Sequence, residues 1–400
     1  MPDLLWRGTA GRVREAIVLA GGFGTRLAHV VPNVCKPMAP VGGEPFLRRV
    51  LDQLDEAGFS HVVIADGYRR EQIESYFMGT YKGLDIDYSS ETSPLLTGGA
   101  AKKALGLCRN AEVFVLNGDT WFDVDFGAME TALANHPRAR AAIAVKRMRD
   151  FDRYGTLDIG QESEIREFRE KAPCADGWIN GGVYLVQRNA LAAQPETFSL
   201  ESDYFQRIVG DGSLVAVKMQ GSFVDIGVPS DYRRAQDMFS AKGTSCRLAL
   251  FDRDGTMNVD TGHLHEIEEC ELIDSTIDLM RGYAQNPAWR IAVVTNQAGI
   301  AKGMYSTGDM RTLHRTMAER LLARGARVDA WYFCPHHPDF TGTCDCRKPK
   351  PGMLLRALRD FRADASESVM YGDKPSDEKA ATAAGVAFRK VGCDAEWKTA

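Results

Sequence analysis

The chain has 400 residues, 44% of them hydrophobic and 26% charged, with a formal net charge of -5 at pH 7. That length suggests two or three domains of ordinary soluble globular protein, and the mild acidity gives no reason to expect nucleic acid or an anionic membrane as partner. No run approaches the ~18 apolar residues of a membrane span, and Met1 to Arg14 lacks the apolar core of a signal peptide, so a cytoplasmic protein is expected. Nine cysteines are too few and too scattered for a disulfide framework, but three fall within residues 334–346, which points to metal in a reducing compartment.

Glu15 to Ala20 reads as a buried strand that runs directly into Gly21-Gly-Phe-Gly-Thr-Arg-Leu27. In such a loop Gly21, Gly22, Gly24 and Thr25 let backbone N–H groups approach phosphate oxygens, and Arg26 adds charge. Lys36, in Lys36-Pro-Met, is a second cation near the same strand end. The pattern is neither a P-loop nor a dinucleotide fingerprint. Phe46, Leu47, Val50, Leu51 and Leu54 form a helical stripe that stops at Gly58. A strand (His61 to Asp66), a helix through Ile73 and Phe77, and a strand near Ile86 follow, and this alternation predicts a mainly parallel sheet. Pro94 to Ala100 reads as a glycine-containing loop before a helix, where Gly98 can face a nucleotide base or simply cap the helix.

The strand Glu112 to Leu116 ends in Asn117-Gly-Asp119, and Phe223 to Pro229 supplies Asp225. Two carboxylates suffice for Mg²⁺, which keeps waters and substrate phosphates as its other ligands. Between them Arg153-Tyr-Gly155, Phe168-Arg-Glu-Lys171 and Ile179-Asn-Gly-Gly-Val-Tyr184 alternate with strand-like runs at Ala141 to Val145 and Val183 to Val186. Glu170 can accept sugar hydroxyls, Lys171 can neutralise a sugar phosphate, and Asn180 can donate or accept.

Residues 15–240 resemble the sugar-1-phosphate nucleotidyltransferases, heptose 1-phosphate guanylyltransferases most nearly. The likeness rests on L-A-G-G-F-G-T-R-L, K-P-M, N-G-D, E-K, N-G-G-V-Y and D-I-G-V-P, in family order. Leu96 departs from it, standing where the family commonly has glycine in P-L-G-T-G-G. The resemblance implies a nucleotide-diphospho-sugar transferase fold. It also implies in-line attack of a sugar 1-phosphate on the α-phosphorus of a nucleoside triphosphate, with release of pyrophosphate. Asp119 and Asp225 would hold Mg²⁺, Arg26 would act on the triphosphate, and Lys36 and Lys171 would orient phosphates. Gly155, Glu170 and Asn180 would be substrate contacts.

Ser230 to Phe239 reads as the last helix of this half, and residues 241–246 as a polar linker, so the expected domains are 15–240 and 247–400 after a tail of 1–14. Arg247 to Thr256 (R-L-A-L-F-D-R-D-G-T) opens a second α/β pattern: a buried parallel strand with Asp252 and Asp254 at its tip. Asn258 to Glu266, with Asp260 and His263, is a loop close to these aspartates. A helix (Ile273 to Tyr283) precedes the strand Arg290 to Val294, which ends in Thr295-Asn-Gln-Ala-Gly299, a hydroxyl followed by a turn able to bind phosphate. A helix from Thr307 to Arg324 and a strand from Ala330 to Phe333 lead to Cys334-Pro-His336 and Cys344-Asp-Cys346. Three thiolates and an imidazole make a tetrahedral Zn²⁺ set with no position left for substrate, hence a structural ion; His337 is the alternative to His336. Arg347-Lys348-Pro follows at once, and the strand Ser368 to Tyr371 ends in Gly372-Asp-Lys-Pro-Ser-Asp377.

Asp252 and Asp254, then Thr295, Lys348, Asp373 and Asp377, resemble the ordered set of the haloacid dehalogenase-like phosphatases over residues 247–391. With the zinc loop the likeness is to heptose bisphosphate phosphatases and the related histidinol-phosphate phosphatases. It implies that Asp252 is the nucleophile and Asp254 the acid and base. It implies Mg²⁺ on Asp252, the main-chain carbonyl of Asp254, and Asp373. Thr295 and Lys348 would neutralise the phosphoryl charge, while Asp260, His263, Asn296 and Arg347 would meet the substrate. The chain is therefore expected to be two Rossmann-like three-layer α/β domains. Its partners would be small molecules only: heptose 1,7-bisphosphate, heptose 1-phosphate and a nucleoside triphosphate. Alternatives are a histidinol-phosphate-type phosphatase, a mannose 1-phosphate or amino-sugar nucleotidyltransferase, or one domain that only binds.

Overall fold

A computed structural model describes residues 14–22, 24, 27, 29–240 and 246–391. Thr25, Arg26 and linker residues 241–245 lie outside the described residues. The described residues divide into two compact units, one of residues 14–79 and 84–240 and one of residues 246–391 with Thr80–Gly83.

In the first unit the strand Arg14–Leu19 lies between Phe59–Ala65 and Glu112–Asn117, parallel to both, and Leu84–Tyr88 continues the sheet beyond Phe59–Ala65. Successive residues of a strand face opposite sides. Ile17, Val63, Val113 and Val115 accordingly pack with Ala100, Ala101 and Ala104 of the helix Leu96–Ala104. Phe114, on the alternate register, meets Phe59 and Phe126 edge-on at 5.3 and 5.1 Å between ring centres. The predicted stripe on Phe46–Glu56 is buried at Phe46, Leu47, Val50, Leu51 and Leu54, and each such side chain contributes roughly 1.5–3 kcal/mol.

The other half of this sheet is mixed, contrary to the expectation from alternation: Leu214–Met219 runs parallel to Ala141–Phe151, but the remaining pairs are antiparallel. Cys174–Gln187 pairs antiparallel with Glu112–Asn117, with Ala141–Phe151 and with Thr156–Ile159. Asn180-Gly-Gly, expected between strands, lies inside this one strand, where the register shifts between Asn180 and Tyr184 and Gly182 takes φ +72°. The bulge absorbs the glycines without ending the strand.

The second unit is a five-stranded, wholly parallel sheet in the order Ala330–Cys334, Trp289–Asn296, Arg247–Phe251, Val369–Gly372, Ala387–Lys390. Leu248 and Leu250 pack with Met353, Leu354 and Ala357 on one face. Ala249 and Phe251 pack with Ile277, Met280 and Met317 on the other. Burial on both faces explains why these strands are apolar runs without alternation. No helix among the described residues is long and apolar enough to cross a membrane.

Candidate active sites

In the first unit three predicted residues converge. Thr120–Phe122 and Phe223–Asp225 form an antiparallel pair with Asp225 opposite Thr120, and the Ile226 N–H donates to the Asp119 carbonyl at 3.0 Å. The two carboxylates therefore arrive side by side. Lys36, on the turn Lys36–Met38, donates to Asp119 and stands 3.6 Å from Asp225 Oδ1. Burial, and then the Asp119 charge, raise the Asp225 carboxyl above its ordinary range. Glycines keep the cradle open. Gly24 has φ +59°, and a Cβ there would lie 2.9 Å from the Lys36 Cβ. A Cβ at Gly227 would lie 2.9 Å from Asp225 Oδ1 and 3.0 Å from Lys36 Nζ. Two convergent acids around one ammonium, in a space a methyl would fill, fit a divalent cation. Gly21 approaches Glu91, and a Cβ at Gly22 would meet open space.

Asp225 also lines a cavity of about 580 Å³ with Gly155, Glu170, Lys171, Asn180, Tyr154, Tyr184 and Glu201. A Cβ at Gly155 would lie 2.5 Å from the Arg169 carbonyl, so this glycine lets the segment leading into Glu170 and Lys171 pass close to the backbone at residue 155. Glu170 and Lys171 are exposed. Asn180 Nδ2 donates to the Tyr184 hydroxyl and its Oδ1 accepts from the Gly182 N–H, both at 2.9 Å. Tyr184 in turn donates to Glu201 Oε1 at 2.9 Å, and Thr97 to Glu201 Oε2 at 2.8 Å. Glu201 carries no motif signal and was missed by the sequence. Gly98 is not in a loop: it sits in the helix Leu96–Ala104, where its N–H donates to the Phe198 carbonyl at 2.9 Å. A Cβ there would fall 2.2 Å from the Phe198 ring, so close packing explains the glycine.

In the second unit the Arg247–Phe251 strand delivers Asp252, and its parallel neighbour Val369–Gly372 delivers Asp373. Asp377 follows in the first turn of the helix Pro375–Ala384. Asp252, Asp373 and Asp377 each offer an oxygen, all within 4.8 Å of one another. Asp373 Oδ1 is buried and has no hydrogen-bond partner among the described residues. Together with the all-oxygen donor set, that orphaned atom fits Mg²⁺. Lys348, 1% exposed, bridges Asp252 Oδ1 at 2.8 Å and Asp377 Oδ1 at 2.6 Å. Burial raises Asp252 and the Lys348 charge opposes it. Gly255, at φ +87°, is required: a Cβ would lie 2.4 Å from Asp373 Oδ2.

The Asp254 carboxylate is not part of this cluster. It accepts from Arg253 Nε and Nη2 at 2.9 Å, Asn258 Nδ2 at 3.1 Å and Gln297 Nε2 at 3.0 Å. Its main-chain carbonyl lies 3.5 Å from Lys374 Nζ. Arg253, fully buried, is held by the Leu264 carbonyl and by His314, whose ring stacks on Trp331 at 4.3 Å. Because arginine only donates, His314 Nε2 must be the acceptor. Burial, then the Arg253 charge, lower the His314 ring well below its ordinary range. Thr295 is buried and accepts from Gln297 at 2.8 Å. Asp260 pairs with Lys374 at 2.9 Å, and His263 Nε2 lies 3.1 Å from Lys302.

Asn296 is not turned to open space. Its Nδ2 donates to the Lys348 carbonyl and its Oδ1 accepts from the Lys348 N–H, each at 3.0 Å. Arg347 donates to the His336 carbonyl at 3.1 Å. Cys334, His336, Cys344 and Cys346 form the expected cluster. Its S–S separations are 3.3, 3.4 and 3.6 Å, and His336 Nδ1 lies 3.3 and 3.7 Å from two of the sulfurs. A tetrahedron with arms of ~2.3 Å has edges of roughly 3.7 Å, so the set fits Zn²⁺. His337 instead accepts from the Asp339 N–H at 3.3 Å.

The nucleotidyl transferase family matches residues 15–242, and the haloacid dehalogenase-like hydrolase family matches residues 151–385. The chain belongs to both families. The second match begins inside the first unit, whereas the parallel sheet bearing its aspartates starts at Arg247. The D-glycero-alpha-D-manno-heptose 1-phosphate guanylyltransferase of Aneurinibacillus thermoaerophilus is 40% identical, over 56% of this chain and 96% of that protein. The D-glycero-beta-D-manno-heptose-1,7-bisphosphate 7-phosphatase of Yersinia pestis is 46% identical, over 34% of this chain and 76% of that protein. Among solved structures, HddC from Yersinia pseudotuberculosis complexed with GMP-PN has a TM-score of 0.52 and 30% identity, covering 57% of this chain and 100% of that one.

Proposed function

We propose that this nucleotidyl transferase–hydrolase chain converts a heptose 1,7-bisphosphate into a nucleotide-activated heptose. The hydrolase half removes the 7-phosphate. The transferase half joins the resulting 1-phosphate to GMP from GTP and releases pyrophosphate. One observation carries this: two sites whose chemistries are consecutive on one sugar stand in a single chain.

In the hydrolase half Asp252 attacks phosphorus and forms an aspartyl phosphate. The Arg253 N–H and Lys348 both lie on its Oδ1, at 2.7 and 2.8 Å, so Oδ2 is the oxygen without a hydrogen bond among the described residues. Asp254 protonates the departing sugar oxygen and later takes a proton from the attacking water. Lys348 and Thr295 meet the phosphoryl oxygens, and Arg347, Asp260 and His263 face the sugar. Asp252 and Asp373 with the Asp254 carbonyl would hold Mg²⁺, which supplies charge neutralisation at phosphorus. The four-ligand cluster would hold Zn²⁺ and brace the loop that leads into Arg347 and Lys348.

In the transferase half the work is positioning and charge neutralisation. Lys36 and Lys171 orient phosphates, Arg26 acts on the triphosphate, and the 580 Å³ cavity takes the sugar against Glu170 and Asn180. A second Mg²⁺ on Asp119 and Asp225 would offset the charge that builds on the α-phosphate and pyrophosphate. The relatives' names differ in anomer, alpha for the guanylyltransferase and beta for the phosphatase. Transfer happens at the C1 phosphate and hydrolysis at C7, so the transferase half dictates the anomer, and we assign the alpha form. Reducing conditions, as in the cytoplasm, suit thiolate ligands and the free cysteines of the described residues. With α-heptose 1-phosphate as acceptor, GTP is expected to exceed UTP and ATP at least about tenfold in kcat/KM, an edge of ~1.4 kcal/mol. Pyrophosphate release under each nucleotide measures this, and equal rates would contradict the guanylyl assignment.

A further inference from the structure

We infer that Asn296 is a positioning residue for Lys348 rather than a sugar contact, an inference that rests on the phosphatase chemistry proposed for the second half. Asn296 ends the Trp289–Asn296 strand, one residue after Thr295. Its amide makes a two-point clamp on the backbone of Lys348: Nδ2 on the carbonyl and Oδ1 on the N–H, both at 3.0 Å. The orientation is forced, because a main-chain N–H can meet only the amide oxygen and a main-chain carbonyl only the amide nitrogen.

Among the described residues the Lys348 backbone makes no other hydrogen bond. It belongs to no strand or helix, and two residues before it stands Cys346 of the thiolate–imidazole cluster. Its ammonium must nevertheless reach both Asp252 and Asp377 from a buried position. A flexible four-carbon side chain can place its charge accurately only if its Cα is fixed. The cluster fixes the loop from one side, and Asn296 fixes the lysine itself to the strand tip that carries Thr295. Two groups that meet the same phosphoryl oxygens are thereby tied to one another.

The test uses the full chain and the variants Asn296→Ala, Asn296→Asp, Lys348→Ala and Asn296→Ala/Lys348→Ala. They are assayed with heptose 1,7-bisphosphate and with p-nitrophenyl phosphate. Zinc content and guanylyl transfer in the other half report folding. Positioning requires Asn296→Ala to lower kcat by the same factor, about tenfold or more, on both substrates. The sugar KM should stay within about twofold. Asn296→Asp, which keeps an acceptor for the Lys348 N–H, should retain more activity than Asn296→Ala. The double variant should be no worse than Lys348→Ala, since a clamp has no effect once its cargo is gone. A raised KM for the heptose substrate alone would make Asn296 a sugar contact and overturn the inference, as would additive losses in the double variant. Full activity in Lys348→Ala would instead overturn the phosphatase assignment itself.

Discussion

Asp252→Asn should abolish phosphate release from heptose 1,7-bisphosphate, with a loss of at least about 10³-fold, because an amide cannot form the aspartyl phosphate. The substitution is isosteric, and its amide oxygen can still accept from the Arg253 N–H, which donates to Asp252 Oδ1 at 2.7 Å. Lys348 keeps Asp377 at 2.6 Å. Folding is therefore preserved, and guanylyl transfer to added heptose 1-phosphate should stay within about twofold of wild type, since independent sites do not couple. Phosphate release that survived this change would place the nucleophile elsewhere.

Asp225→Asn should have the mirror effect. Asp225 Oδ1 accepts the Gly227 N–H at 2.7 Å, which an amide oxygen reproduces, but the variant removes one of the two negative charges beside Lys36. Loss of a metal-binding carboxylate should lower guanylyl transfer by about 10²–10³-fold, the equivalent of ~3–4 kcal/mol at the transition state. Phosphatase turnover should be unchanged, so the bisphosphate would be converted and heptose 1-phosphate would accumulate. Mass spectrometry of the reaction distinguishes this from a general folding defect, which would slow both steps.

Local covalent spacing made parts of both sites legible in the sequence. Cys334, His336, Cys344 and Cys346 meet because a short loop returns on itself, and the spacing alone says so. Asp252 and Asp373 stood at strand ends, and parallel pairing of those strands brought them together. What stayed hidden depended on distant neighbours. Gly98 read as a loop residue because glycine weakens helices, yet the Phe198 ring, a hundred residues on, leaves room for nothing larger. Asn180-Gly-Gly read as a break between strands, while pairing with Ala141–Phe151 carries the strand through it. Glu201 lines the first cavity and is held there by Tyr184, Thr97 and Ser199, from three separate stretches of the chain. Arg253 lies between two conspicuous aspartates, but its importance comes from His314 and the Leu264 carbonyl, which no pattern around it announces. Asn296 belonged to a recognised motif, and only the structure shows it bound to the backbone of Lys348.

The most direct measurement is mass spectrometry of the wild-type protein incubated with Mg²⁺, GTP and each anomer of heptose 1,7-bisphosphate in turn. Inorganic phosphate, then pyrophosphate, then GDP-heptose should appear, with the guanylylated product formed from the alpha anomer. GDP-heptose from the beta anomer alone would reverse the anomeric assignment. Absence of phosphate release from both anomers would mean that the two halves do not act in succession on one heptose.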